Sequence, residues 1–220
     1  MRCSMYKKVI LVHGYFKNHR DVMDLKKNLE KLGYEGIVID LPLTFHEIKY
    51  AYTCFQTKMK EILDSFQEDE KVSLVGHSAG GLIIRMFLSN TKDIHRIHRC
   101  VFISTPNKGC RLADIASKRL PILVTIFKTL KSLTPANVEK LKIKDRKDIE
   151  IGIIAGNKSD LILGKLIRGE NDGRVELYST KYEGSTDSIT LPYNHNEIHH
   201  QFEVAQLVDN FLRNGGFHEI

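Results

Sequence analysis

Residues 71–88 read KVSLVGHSAGGLIIRMFL, and no other stretch constrains the fold as much. A short apolar run bounded by glycine is the pattern of a strand buried on both faces. A second, longer apolar run follows at once and has the length of a helix. Joining a buried strand to a buried helix so abruptly requires a sharp turn with no room for side chains, which accounts for Gly76, Ala79, Gly80 and Gly81. Ser78 then occupies the apex of a GxSxG turn, with its hydroxyl directed away from the sheet. The free amides and positive dipole end of the following helix lie beside it. A glycine-rich turn that merely packs tightly is the competing explanation, and the rest of the chain weighs against it.

The same alternation recurs. Residues 8–12 form an apolar strand pattern, and 21–32 a helix with Val22, Leu25, Leu29 and Leu32 on one face, closed by Gly33. A second strand is expected at 36–40, then a helix over 50–66 with Phe55, Met59, Ile62 and Phe66 inward, and a fourth strand at 99–104 after that of 71–75. Strands alternating with helices predict an α/β fold, a mostly parallel central sheet with helices on both faces. The period breaks after Thr105-Pro106-Asn107. One or two helices interrupted at Pro121 are expected over 112–130, and another over 135–141. The strand pattern returns at 149–155. A turn-rich loop, 169–173, precedes 175–178, a last strand is expected at 188–191, and a closing helix at 203–212 turns Val204, Leu207, Val208 and Phe211 inward. The 220 residues thus predict a single domain with one helical insertion at 107–148.

Charge is distributed unevenly. Lys plus Arg number 33 and Asp plus Glu 27, a formal net charge of +6. Residues 107–150 hold 11 basic and 5 acidic side chains, so the whole excess lies there and the remainder is neutral. Three explanations compete: a solvated amphipathic surface, a peripheral patch in which Lys128, Lys131, Lys140, Lys142 and Lys144 meet anionic headgroups, and nucleic-acid binding. Nucleic acid is disfavoured, because aromatic residues are scarce among these bases and no recognition module is visible. The longest apolar patch, LPILVTIF at 120–127, is far short of the roughly 20 residues a spanning helix needs. No secretory signal pattern precedes the first strand. The four cysteines, Cys3, Cys54, Cys100 and Cys110, show no CxxC spacing, so a reduced, cytoplasmic protein is expected.

For Ser78 to act as a nucleophile it needs a base, an orienting acid and an oxyanion site. His13-Gly14-Tyr15 follows the first strand, and the backbone N–H groups of Tyr15 and Ala79 are the expected oxyanion hole. Asp172, in the turn-rich NDG, is the expected acid, with Asp160 and more weakly Asp187 as alternatives. His195, in the loop LPYNHNE, is the expected base, with His199 as the alternative. His195, His199 and His200 have suggestive spacing for a metal, but no cysteine completes a structural zinc set, so no metal or other cofactor is expected. The arrangement predicts two-step acyl transfer through an acyl-enzyme.

With these residues in place the chain resembles the α/β-hydrolase superfamily, and more narrowly its lipase-like bacterial serine esterases. HGY at 13–15 is similar to the family's oxyanion loop and GHSAGG at 76–81 to its nucleophile elbow, with Ala79 where many lipases carry Met. STPNKGCRLAD at 104–114 resembles the segment leading into a cap, Asp172-Gly173 with Val175 the acid-bearing loop, and His195 with the helix ending FLRNGGF the terminal element. The resemblance implies that 107–148 forms a small cap or lid, and that the substrate is a small-molecule or lipid carboxylic ester. A thioesterase or amidase using the same triad is the alternative within enzymes. A non-catalytic binding protein on a hydrolase fold is the alternative outside them.

Overall fold

A computed structural model describes residues 7–217. Cys3, one of the four cysteines, lies outside them. Among the described residues six strands form one sheet: β1 (Lys8–Val12), β2 (Glu35–Ile39), β3 (Val72–His77), β4 (Ile97–Ile103), β5 (Glu150–Gly156) and β6 (Asp187–Leu191). Their order is β2-β1-β3-β4-β5-β6, and every pairing is parallel. Burial follows position. In β1 the residues Val9 to Val12 are completely buried, and β3 is buried throughout. At the edge, β6 reads DSITL and leaves Ser188 and Thr190 exposed, polar side chains that suit a sheet margin.

Helices cover both faces. On one side lie α2 (Ile48–Asp64) and α3 (Ala79–Asn90), where Phe55 meets Phe87 edge-on at 5.4 Å between ring centres. On the other lie α1 (Met23–Lys31) and α9 (Phe202–Asn214), whose Leu25, Leu29, Val204, Val208 and Phe211 close a second core against Val9, Leu11 and Val101. The expected helix at 21–32 begins as a 3-10 turn, His19–Val22, because the Asn18 side chain accepts the Arg20 N–H and tightens the entry.

Between β4 and β5 the chain forms α4 (Arg111–Arg119), α5 (Pro121–Ile126), α6 (Lys128–Ser132) and α7 (Pro135–Lys140). Pro121 and Pro135 each open a helix, the position at which a missing N–H costs nothing. The interruption expected at Pro121 is present, and a further break falls at Phe127, with φ −86° and ψ 68°, so residues 111–132 make three helices. Residues 177–180 form the short helix α8 (Leu177–Thr180).

The sheet order positions the site. The chain leaves β1 for one side, makes β2, and returns past β1 to make β3. The C-terminal ends of β1 and β3 therefore lie side by side with their loops diverging, and such a switch point opens a crevice. HGY follows β1 and the serine turn follows β3.

Candidate active site

Ser78 has φ 53° and ψ −126°, a strained conformation for a residue with a side chain. The surroundings impose it. The Ser78 N–H donates to the Ile103 carbonyl at the end of β4 at 2.8 Å, while Ala79 already begins α3. Small residues are obligatory on either side. A Cβ on Gly76 would lie 2.5 Å from the Gly81 backbone, and one on Gly80 2.5 Å from the Val12 and His13 carbonyl oxygens. The turn is thus clamped between its own helix and the end of β1.

Three of the expected site residues meet here. Ser78 Oγ is 3.0 Å from His195 Nε2, and His195 Nδ1 is 2.7 Å from Asp172 Oδ2. All three are buried. Asp172 lies in the loop after β5 and His195 in the loop after β6, and the His195 N–H donates to the Asp172 carbonyl oxygen at 2.8 Å, which joins the two loops. The other carboxylate oxygen, Asp172 Oδ1, accepts the N–H groups of Arg174 at 3.0 Å and Val175 at 2.8 Å. Burial alone would push the Asp172 carboxyl up. The adjacent His195 ring and these two amides outweigh it and hold the carboxyl below its ordinary range, so it stays ionised. A carboxylate on Nδ1 places the ring's free lone pair at Nε2, facing the hydroxyl.

His13 shapes the oxyanion loop. Its ring is fully buried, with Nδ1 2.9 Å from the Gly14 carbonyl oxygen and Nε2 3.0 Å from the Leu41 nitrogen and 2.8 Å from Asp40 Oδ1, so the loops after β1 and β2 are tied together. This brings Gly14 so near Ser78 that an added Cβ would stand 2.9 Å from the Ser78 Cβ. The next residue, Tyr15, lines the cavity above the serine, and Phe16 is held at φ 57° with its N–H on the Leu43 carbonyl at 2.9 Å. Ala79, as the first residue of α3, has an N–H without an intrahelical acceptor.

The alternatives lie elsewhere. Asp160 pairs with Lys158 at 3.0 Å and accepts from the Asn194 side chain at 2.8 Å, at the surface. Asp187 accepts the N–H of Phe217 at 2.8 Å. His199 is fully buried, its ring stacked on that of His77 at 3.8 Å, and His200 pairs with Asp24 at 3.0 Å on the outside. The three clustered histidines therefore occupy three different environments.

Above Ser78 and His195 is a cavity of about 490 Å³. Leu112, Ile115, Leu120, Leu123, Phe127 and Leu130 of α4–α6 form one wall. Leu163 and Leu166 from the 3-10 turn Ile162–Leu166 also line the cavity, a segment to which no sequence motif assigns a role. Its signal was the apolar run LILGKLI at 161–167, which has neither strand nor helix period. The chemistry offered is that of a hydroxyl, an imidazole and a carboxylate in series beneath an apolar pocket.

A family model described as the alpha/beta hydrolase fold matches residues 7–147, and the chain belongs to that family. Among curated proteins it is similar to Salicylic acid-binding protein 2 of Nicotiana tabacum, 31% identical over 106 residues, 44% of this chain and 39% of that protein. It is also similar to Methylesterase 2 of Arabidopsis thaliana, 32% identical over 101 residues, 43% and 38% of the two chains. The chain thus matches about two fifths of the length of these relatives. The solved mature form of the Bacillus licheniformis lipase BlEst2 superimposes with a TM-score of 0.80 at 22% identity, covering 96% of this chain and 93% of that one. EstA from Clostridium botulinum superimposes with a TM-score of 0.64 at 16% identity, covering 90% and 84%. At these identities the superpositions establish the fold.

Proposed function

We propose that this protein is a serine hydrolase that cleaves carboxylic esters through an acyl-enzyme. The observation that carries the proposal is the hydrogen-bonded row Ser78–His195–Asp172 at the floor of the apolar cavity. His195, held in one tautomer by Asp172, takes the Ser78 proton as Oγ attacks the ester carbonyl. The Tyr15 and Ala79 amides stabilise the oxyanion. The same ring then protonates the departing alcohol and activates the water that releases the acid. Residues 107–148 act as a small cap whose apolar wall receives the acyl group. That similar proteins are named a methylesterase and a lipase supports an ester as the substrate.

A lipid ester is favoured by the mouth of the cavity. Phe16, Leu120 and Leu163 line it on three different segments, exposed by 60%, 54% and 48%. Lys128 and Lys131 lie on the adjoining α6. Apolar side chains next to a basic helix suit peripheral contact with an anionic lipid surface. Among the described residues no helix is long and apolar enough to cross a membrane. Cys54, Cys100 and Cys110 are free thiols, which supports a reducing, cytoplasmic setting.

A fluorophosphonate probe tests the reaction class: the wild type should be labelled and Ser78→Ala should not. A folded wild type that takes no label overturns the proposal in favour of a non-catalytic protein. Equal sedimentation with anionic and neutral liposomes at low salt would remove the membrane contact while leaving the hydrolase.

A further inference from the structure

Asp21, His77 and His199 come from distant parts of the chain and converge beside the serine turn. Asp21 lies on the 3-10 turn His19–Val22, His77 ends β3, and His199 lies on the 3-10 turn Ile198–His200. Their side chains are 6%, 2% and 0% exposed. Asp21 Oδ2 is 3.2 Å from His199 Nε2 and 3.5 Å from His77 Nδ1, and one donor atom of each residue lies within 4.8 Å of the others. Close as they are, neither ring nitrogen is aligned on the carboxylate. Asp21 Oδ2, His77 Nδ1 and both nitrogens of His199 have no hydrogen-bond partner. Buried polar atoms are seldom left so, and converging orphans indicate a missing common partner.

We propose that Asp21, His77 and His199 bind a divalent transition-metal ion, with zinc the best match. Two imidazoles and one carboxylate form a borderline donor set that suits zinc. Ligands about 2.0–2.1 Å from a tetrahedral ion stand about 3.3 Å apart, close to the two separations from Asp21 Oδ2.

The outer contacts are those of a ligating histidine. His77 directs its other nitrogen, Nε2, at the His195 carbonyl oxygen at 3.1 Å, and metal-bound imidazoles characteristically donate their second N–H to such an acceptor. Lys17 Nζ lies 3.2 Å from Asp21 Oδ1, the oxygen turned away from the rings. An ion here joins the end of β3 to the start of the terminal helix. Through His77 it braces the backbone of His195, so these are positioning residues. The site does not depend on the ester reading.

The test uses the full chain, stripped with a chelator, dialysed against zinc, desalted and analysed for metal. The wild type should retain one zinc per chain and unfold at higher temperature when loaded. Its cobalt form should show the visible absorption of low-symmetry nitrogen–oxygen coordination. Asp21→Asn and His199→Gln should weaken zinc binding by more than the roughly 10–100-fold that loss of an outer-shell partner costs. His200→Gln, which alters the exposed neighbour, should bind as the wild type does. If His199→Gln does not fold, the near-isosteric Asp21→Asn decides. A folded wild type without stoichiometric zinc overturns the proposal and leaves an ionic network in its place. Undiminished binding by Asp21→Asn overturns it equally.

Discussion

Asp172→Asn separates the charge of the acid from its shape, and the structure dictates what the asparagine must do. Asp172 Oδ1 accepts two backbone N–H groups, while Oδ2 faces His195 Nδ1. An asparagine has one accepting oxygen and one donating amide group. Turning that amide toward Arg174 and Val175 would set donor against donor twice, at a cost of about 1–3 kcal/mol for each buried N–H left unmet. The oxygen therefore stays at the Oδ1 position and the amide group faces His195. It can only donate, so Nδ1 must accept and the ring proton moves to Nε2. Nε2, 3.0 Å from Ser78 Oγ, then presents an N–H where a lone pair is needed. We expect kcat for p-nitrophenyl butyrate to fall by roughly 10⁴, a loss of about 5 kcal/mol in transition-state stabilisation. KM and the circular dichroism spectrum should change little. A folded Asp172→Asn that keeps more than about a tenth of the wild-type kcat would refute the reasoning. Asp160→Asn is the matched control. Its contacts are exposed and screened by solvent, so its activity should stay within about fivefold of wild type.

Gly80→Ala should destabilise the fold by about 1–3 kcal/mol, read as a lower urea midpoint, because its Cβ would be driven into the Val12 and His13 carbonyl oxygens, which cannot move aside. Acid should act late on Asp172. Its folded value is depressed, so its stabilisation is complete above the unfolded value of about 3.9 and disappears as pH falls through the lower folded value. In paired denaturation curves, any stability advantage of wild type over Asp172→Asn should hold from neutrality to about pH 4 and narrow only below it. A gap that closes between pH 6 and 5 would point to another group. Leu123→Gln, on the cavity wall, should lower kcat/KM for a decanoyl ester on the order of tenfold more than for an acetyl ester, because it removes apolar area only a long chain reaches. Equal effects on both esters would place the acyl chain elsewhere.

Much of this protein is legible in its sequence because its signals are local. The continuous apolar runs of β1, β3 and β5 exist because both faces of those strands are covered, and that composition needs no partner to be identified. GHSAGG is legible for a similar reason: a strand passing directly into a helix excludes side chains within six consecutive residues. Pro121 and Pro135 announce helix starts through their own rings. The break at Phe127 had no such mark. It arises where Phe127 packs between Phe16 and Phe45, at 5.7 and 5.6 Å between ring centres, contacts with residues more than eighty positions away.

The tertiary structure decided which residues meet. His195, His199 and His200 are nearly adjacent in sequence, and no periodicity distinguishes them. The chain enters a 3-10 turn after the loop, which sends His195 toward Ser78, His199 inward onto Asp21 and His77, and His200 outward to Asp24. Asp160 and Asp172 both follow β5, but only Asp172 sits where two amides fix one oxygen and leave the other for His195. The meeting of Asp21 with His77 and His199 had no sequence signal at all. The physical reason is one of range. Burial and turn chemistry are written within a few residues and can be read along the chain. A distance such as the 3.0 Å between residues 78 and 195 is set by the order of strands and by the loops that cross their ends.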